Sequence, residues 1–279
     1  MSTMPGTNGP PRYRTIWISD VHLGTQVCDA EALLLFLERA TAERIYLVGD
    51  IVDLWRLRVR PYWPQAHADV VRHLLQRARD GTEVLYLPGN HDDTLRKRIG
   101  ARFGSVVVSD DLIHTTVDGR RFWVVHGDGF DVVSRHANWL WHLGARVYGQ
   151  LQRLDRAINW MRHGTRRREL GVSNFLKRGL KRTVNMIGRY EATLVHEARR
   201  HRVDGIICGH VHHAELRQVE GVTYCNTGDW VESRTALIEH HDGRLVLVRS
   251  SDCDTQAILA SSSSINECAS VCERQYAAP

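Results

Sequence analysis

The sequence predicts an α/β fold, a largely parallel sheet covered by helices and followed by a second, more antiparallel sheet. Three observations predict it. In the first half, apolar runs of strand length alternate with helical patterns, the signature of βαβ units. From about residue 105 the runs shorten and meet at Asp118-Gly119, Glu220-Gly221 and Asp242-Gly243, pairs that favour hairpin turns. Residues 130–202 then interrupt this second pattern with a long helical stretch, "SRHANWLWHLGARVYG" and onward.

Taken in order, "RTIWIS" is a strand, "AEALLLFLERA" a helix, "RIYLVG" a strand, "HADVVRHLLQRA" a helix and "EVLYLPG" a strand. Each apolar run stops at a polar pair: Ser19-Asp20, Gly49-Asp50 and Gly89-Asn90. Side chains just beyond the carboxyl ends of parallel strands face the crevice where α/β proteins bind ligands. Three consecutive units therefore bring Asp, Asp and Asn to one rim. The later strands are "DLIHTTV", "RFWVVHG", "ELRQVE", "VTYCNTG", "TALIEHH" and "RLVLVRS". One domain is expected over 13–250, interrupted by a helical cap over 130–202. Beyond Ser250 the chain turns Ser-rich and aperiodic, so 251–279 is expected to be a loose tail.

With 279 residues, 43% of them hydrophobic, the chain can bury a sizeable core, and its formal charge of +5 favours anionic partners. No nucleic-acid motif accompanies the charge, so no nucleic-acid partner is expected. No window holds 18 consecutive apolar residues and the first residues lack an apolar targeting core, which predicts a cytoplasmic protein. Cysteines 28, 208, 225, 253, 268 and 272 form no CxxC pair and are expected to be reduced thiols.

The polar residues at the ends of the apolar runs carry the chemistry. They are Asp20 and His22 in "SDVHLG", Asp50 in "GDIVDLW", Asn90, His91 and Asp92 in "GNHDD", His126 in "VHGD", and His210 and His212 in "GHVHH". Singly, an Asp-x-His after a strand reads as a turn or cap, and a lone His as a hydrogen-bonded core residue. Together, carboxylate, imidazole and amide oxygen make a donor set for borderline divalent ions such as Mn²⁺, Fe²⁺ or Zn²⁺. Seven potential ligands exceed one open site, whereas two ions sharing a carboxylate would use them all. Alternation along an extended "GHVHH" sends His210 and His212 to one side and His213 to the other.

The ordered set D-x-H, G-D-x-x-D, G-N-H-D, H-G-D and G-H-x-H resembles the calcineurin-like metallophosphoesterases. That resemblance implies a four-layer αββα sandwich and a centre of two divalent ions, with Asp20, His22 and His212 on one, Asn90, His126 and His210 on the other, and Asp50 bridging. It also implies that His91 is the catalytic acid or charge stabiliser, with Asp92 orienting its ring. "SDVHLG", "GDIVDLW", the insertion and "NTGDW" are similar to the UDP-2,3-diacylglucosamine pyrophosphatase branch. This similarity implies Mn²⁺, cleavage of a nucleotide-activated glycolipid to UMP and a lipid 1-phosphate, and peripheral contact with the cytoplasmic face of the inner membrane. The established pyrophosphatases carry Arg at the position of His91, and the wider family carries His. A soluble nucleotide phosphodiesterase and a non-catalytic scaffold remain as alternatives. For substrate contact, Trp139, Trp141 and Arg146 of the insertion are the candidates, an apolar and cationic set suited to acyl chains and phosphates; a helix-packing seam accounts for the same pattern.

Overall fold

The computed structural model of the chain describes residues 12–130 and 187–250, and the backbone of 258–261. The elements of the larger sheet are β1 (Arg12–Ile18), β2 (Thr41–Val48), β3 (Glu83–Leu87), β4 (Arg102–Phe103), β5 (Val106–Val108), β11 (Thr235–Glu239), β12 (Leu245–Arg249) and β13 (Ile258–Ser261). Their order is β13-β12-β11-β1-β2-β3-β5-β4. The smaller sheet holds β6 (Asp111–Thr115), β7 (Arg121–Val125), β8 (Gly205–Cys208), β9 (Glu215–Val219) and β10 (Val222–Asn226), in the order β6-β7-β8-β10-β9.

Alternation along the strands sorts the core into two layers. Ile16 and Ile18 of β1 and Ile45 and Leu47 of β2 face the helices α1 (Ala30–Arg39) and α3 (Gln65–Arg79), meeting Leu33, Phe36, Val70 and Leu74. Their neighbours Trp17, Tyr46 and Val48 face the smaller sheet, meeting Phe122, Val124, Ile207 and Cys225. β1, β2 and β3 pair in parallel, and strands buried on both faces read as continuous apolar runs, which is why they were legible. On the outer face of the smaller sheet, Trp123 stacks on His201 at 4.4 Å, just beyond helix α4 (residues 187–200), whose Leu194, Val195 and Ala198 are buried. The four-layer sandwich is the observed fold.

Two expectations about the second half are corrected. The hairpin β11–β12 pairs antiparallel with β1, Ile238 opposite Ile16, and so extends the first sheet. The smaller sheet is mixed, because β7 and β8 are parallel, as are β8 and β10. Asp-Gly turns report a local hairpin, whereas the sheet that a hairpin joins is set by long-range burial, and every residue of β11 is buried.

Among the described residues, 12–127, 194–250 and 258–261 belong to one compact unit, and 128–130 and 187–193 to a second. Most of the expected cap, with Trp139, Trp141 and Arg146, lies outside the described residues. Of the expected tail, 258–261 form β13, paired with β12, and the remainder lies outside them too.

Candidate metal centre

Every loop of the site follows a strand of the two parallel sets, β1, β2 and β3 in one sheet and β7, β8 and β10 in the other. The loops lace together through the backbone: Asp20 N–H donates to Gly49 O (3.0 Å), His22 N–H to Asp50 O (2.9 Å) and Gly209 N–H to His126 O (3.2 Å). Among the described residues eight non-glycine positions have positive φ, and five of them are Asp20, His22, Asp50, His210 and His212. Each such conformation costs about 1–3 kcal/mol. Its concentration on these side chains marks a geometry held for purpose. Glycine is required beside two of them: a Cβ at Gly89 would fall on Asp50 Oδ1, and one at Gly209 on Asp20 Oδ2.

The side chains gather into three overlapping groups, Asp20–His22–His212, His22–Asp50–His91 and Asp50–His126–His210, each with ligand atoms within 4.8 Å of one another. Asp50 Oδ2 lies 3.6 Å from His126 Nε2 and 3.9 Å from His22 Nε2. Asp20 Oδ1 lies 3.3 Å from His212 Nε2, which is 3.4 Å from His22 Nε2. The other oxygens of the two carboxylates are held by backbone, Asp20 Oδ2 by His210 N–H (2.9 Å) and Asp50 Oδ1 by His91 N–H (2.8 Å). His126 Nδ1 donates to Val48 O (2.8 Å), which turns the lone pair of Nε2 towards Asp50. His213 is exposed and belongs to none of the groups.

This arrangement fits a cation better than it fits itself. Asn90 Oδ1 is buried without a hydrogen-bond donor, a cost that a cation would remove. Buried carboxylate and imidazole acceptors face each other, and among the described residues no thiol joins them. Burial would push the Asp20 carboxyl up, but the facing His212 holds it down at about 2. Asp50 is likewise pressed up by burial and held well below the usual carboxylate range by His126 and His22. Both carboxylates are thus ionised and ready as ligands.

The structure corrects the expected partner of His91. Asp92 does not face the ring: its Oδ2 accepts from the Tyr86 hydroxyl (2.5 Å) and Ile51 N–H (2.9 Å), and its Oδ1 from Gly89 N–H (2.5 Å). Its carboxylate ties the loops after β2 and β3 together. The ring of His91 is met instead by Asp53, with Oδ2 2.9 Å from Nδ1 and also 3.6 Å from His22 Nδ1. Burial lowers the His91 pKa, but the Asp53 hydrogen bond and the Asp50 charge raise it overall. Trp55 packs against the same ring at 4.8 Å. Asp53 also caps α2 (Leu54–Val59), accepting from Arg56 N–H (2.8 Å). Its place three residues after Asp50 in "GDIVD" was the signal available for it.

The profile of the calcineurin-like phosphoesterases matches residues 13–214, a span that carries all seven ligand candidates. The chain belongs to the calcineurin-like phosphoesterase family. As a calcineurin-like phosphoesterase it is a metal-dependent hydrolase, and divalent ions are its cofactors. It is similar to the UDP-2,3-diacylglucosamine hydrolase of Salmonella typhimurium, 23% identical over 84% of this chain and 94% of that one. The enzyme of the same name from Edwardsiella ictaluri is 31% identical over 72% of this chain and 77% of that one. Among solved structures, Yfce, a phosphoesterase from E. coli, aligns with a TM-score of 0.46 at 15% identity, covering 88% of this chain and 97% of that one. No helix among the described residues is long and apolar enough to cross a membrane.

Proposed function

We propose that this phosphoesterase hydrolyses the pyrophosphate bond of UDP-2,3-diacylglucosamine or a closely related nucleotide-activated glycolipid, releasing UMP and the lipid 1-phosphate. The observation that carries the substrate is the extent of the likeness, since 84% of this chain aligns with 94% of a hydrolase of that name. Asp20, His22 and His212 would hold one divalent ion, Asn90, His126 and His210 a second, and Asp50 both, with Mn²⁺ favoured and Fe²⁺ or Zn²⁺ suited to the same donors. When bound, two such ions lower the pKa of water and neutralise charge on phosphoryl oxygens.

The remaining work belongs to the chain. His91, its Nδ1 2.9 Å from Asp53 Oδ2, presents Nε2 beside the Asp50 carboxylate at 4.0 Å. From there it donates a proton to a phosphoryl or leaving-group oxygen, and Asp53 offsets the charge of the imidazolium. Trp55, packed on the ring, narrows its freedom to turn. Acyl-chain and phosphate contact would fall to the insertion over 130–202, with Trp139, Trp141 and Arg146, at the cytoplasmic face of the inner membrane.

A second reading, a soluble nucleotide phosphodiesterase, is favoured by His91 standing where established lipid pyrophosphatases carry Arg. Turnover of UDP-2,3-diacylglucosamine in detergent micelles with Mn²⁺, set beside bis-p-nitrophenyl phosphate and cyclic nucleotides, separates the two. The glycolipid is expected to be the best substrate. Efficient nucleotide hydrolysis with no release of UMP from the glycolipid overturns the first reading in favour of the second.

A further inference from the structure

Past the metal rim, the chain exposes an aromatic and cationic strip. Residues 54–68, "LWRLRVRPYWPQAHA", carry three arginines and no carboxylate. Helix α2 buries none of its residues, and the segment after it stays at the surface. Val59 is 86% exposed and Trp63 43%, with Tyr62 exposed beside them. Arg56, Arg58 and Arg60 are exposed, and among the described residues none of them enters an ion pair. Surface apolar residues scattered singly need no explanation, whereas a contiguous patch does.

A groove continues the strip onto the outer face of α3. It has a volume of about 270 Å³ and is lined by Trp63, Ala68, Val71, Arg72, Leu75 and Arg79. Its lining is mostly apolar, with two arginines, of which Arg72 pairs with Asp69 (2.5 Å). Arginines alternate with apolar residues along one short segment that holds no carboxylate, a charge pattern complementary to an anionic surface. Trp and Tyr at the polar boundary, with Arg reaching past them, is the arrangement that suits a layer of lipid phosphates over acyl chains.

We propose that residues 56–63 and the adjoining α3 groove form the face by which the protein docks on an anionic lipid bilayer. Val59, Tyr62 and Trp63 enter the headgroup layer, and Arg58 and Arg60 meet lipid phosphates. Tyr62 and Trp63 both pack edge-on against buried His67, at 5.7 and 5.5 Å. The Nδ1 atom of His67 accepts from Gly24 N–H (3.0 Å) in the loop that carries Asp20 and His22. The docking residues are therefore seated on the scaffold of the metal rim. This inference rests on the membrane-borne substrate proposed above for its purpose, but it concerns lipid binding alone.

The test is cosedimentation of the purified full chain with vesicles of phosphatidylcholine, with and without phosphatidylglycerol, in the absence of substrate. The wild type is expected to bind the anionic vesicles and to release them as salt rises. R58E/R60E and V59S/W63S should each weaken partitioning more than about tenfold, with turnover of bis-p-nitrophenyl phosphate unchanged in R58E/R60E. R244E, a reversal in the β11–β12 turn, should change it less than about twofold. Quenching of wild-type tryptophan fluorescence by brominated acyl chains, reduced by W63F, is an independent reading should a double variant fail to fold. Equal binding to both kinds of vesicle, absence of binding, or an R244E effect as large as R58E/R60E overturns the inference. So does self-association abolished by V59S/W63S without vesicle binding, which would assign the face to a second copy. Vesicle binding without glycolipid hydrolysis would instead sink the proposed substrate and leave the docking face standing.

Discussion

Two buried clusters of carboxylate and imidazole lie between strands of the two sheets, and they differ in whether their polar atoms are matched. Around Glu239 they are. Its Oε1 accepts from Arg14 (2.5 Å) and Val117 N–H (3.0 Å), and its Oε2 from the Thr15 hydroxyl (2.9 Å) and His114 Nε2 (2.9 Å). The Tyr46 hydroxyl then donates to His114 Nδ1 (3.2 Å). Five residues further along the chain from Thr15, the cluster at Asp20 and Asp50 uses the same residue types, yet carboxylate oxygens face imidazole nitrogens at 3.3–3.9 Å and Asn90 Oδ1 has no donor. A matched cluster joins the sheets, and a mismatched one is a vessel for cations. The distinction lies in geometry, because the residue types are shared.

The largest effect should come from the mismatched side. Asp50→Ala removes the carboxylate common to two of the ligand groups, so metal content and turnover should fall together. The loss of turnover should exceed the 10- to 100-fold, on the order of magnitude, that follows loss of a residue behind a ligand. Metal analysis of the purified variant beside its phosphodiesterase rate checks this. A variant that retains two ions per chain breaks the comparison.

The matched side should answer in stability. Burial pushes the Glu239 carboxyl up, but the His114 and Thr15 hydrogen bonds bring it down to about 2 from 4.5. A depressed folded pKa means that the stabilisation is complete above the unfolded value of 4.5 and is lost as pH falls towards 2. The shift corresponds to about 3 kcal/mol. Urea unfolding at a series of acidic pH values should show that loss in the wild type and a flatter profile in Glu239→Gln.

A smaller, more selective effect distinguishes Asp53 from Asp92. Asp53→Asn should lower turnover about 10- to 100-fold, because Asp53 stands behind both His91 and His22. Asp92→Ala should instead lower the unfolding midpoint, since it releases Tyr86, Gly89 and Ile51 together. Kinetics and unfolding of the two variants, measured side by side, would reverse the assignment if Asp92→Ala proved the catalytic lesion in a stable protein.

These two residues also mark how far the sequence could be read. Ligand candidates were legible because each follows an apolar run, and the ends of parallel strands converge whatever the intervening helices do. The partner of His91 was not, because adjacency along the chain is not adjacency of side chains. Asp92 turns back beneath its own loop, while Asp53, which caps α2 with one oxygen, sends its second towards His91. The mixed order of the smaller sheet was hidden for a similar reason. β7 and β8 are parallel strands separated by a long insertion, and turn residues carry no record of such a crossover.

His213→Ala should have the smallest effect, under about twofold on turnover by the measure of exposed positions away from a site, although His213 sits beside a ligand candidate. Strand alternation would sort these side chains in the same way, but the backbone does so by another route. β8 ends at Cys208, so no strand runs through the histidines. His210 and His212 adopt left-handed backbone, with φ of +71° and +53°, and it is this pair of turns that carries both rings into the site and leaves His213 in solvent. The same reasoning predicts that His210 and His212 tolerate no β-branched replacement, since Val or Thr resists positive φ. If His213→Ala costs as much turnover as His212→Ala, the backbone turns do not sort these side chains as described.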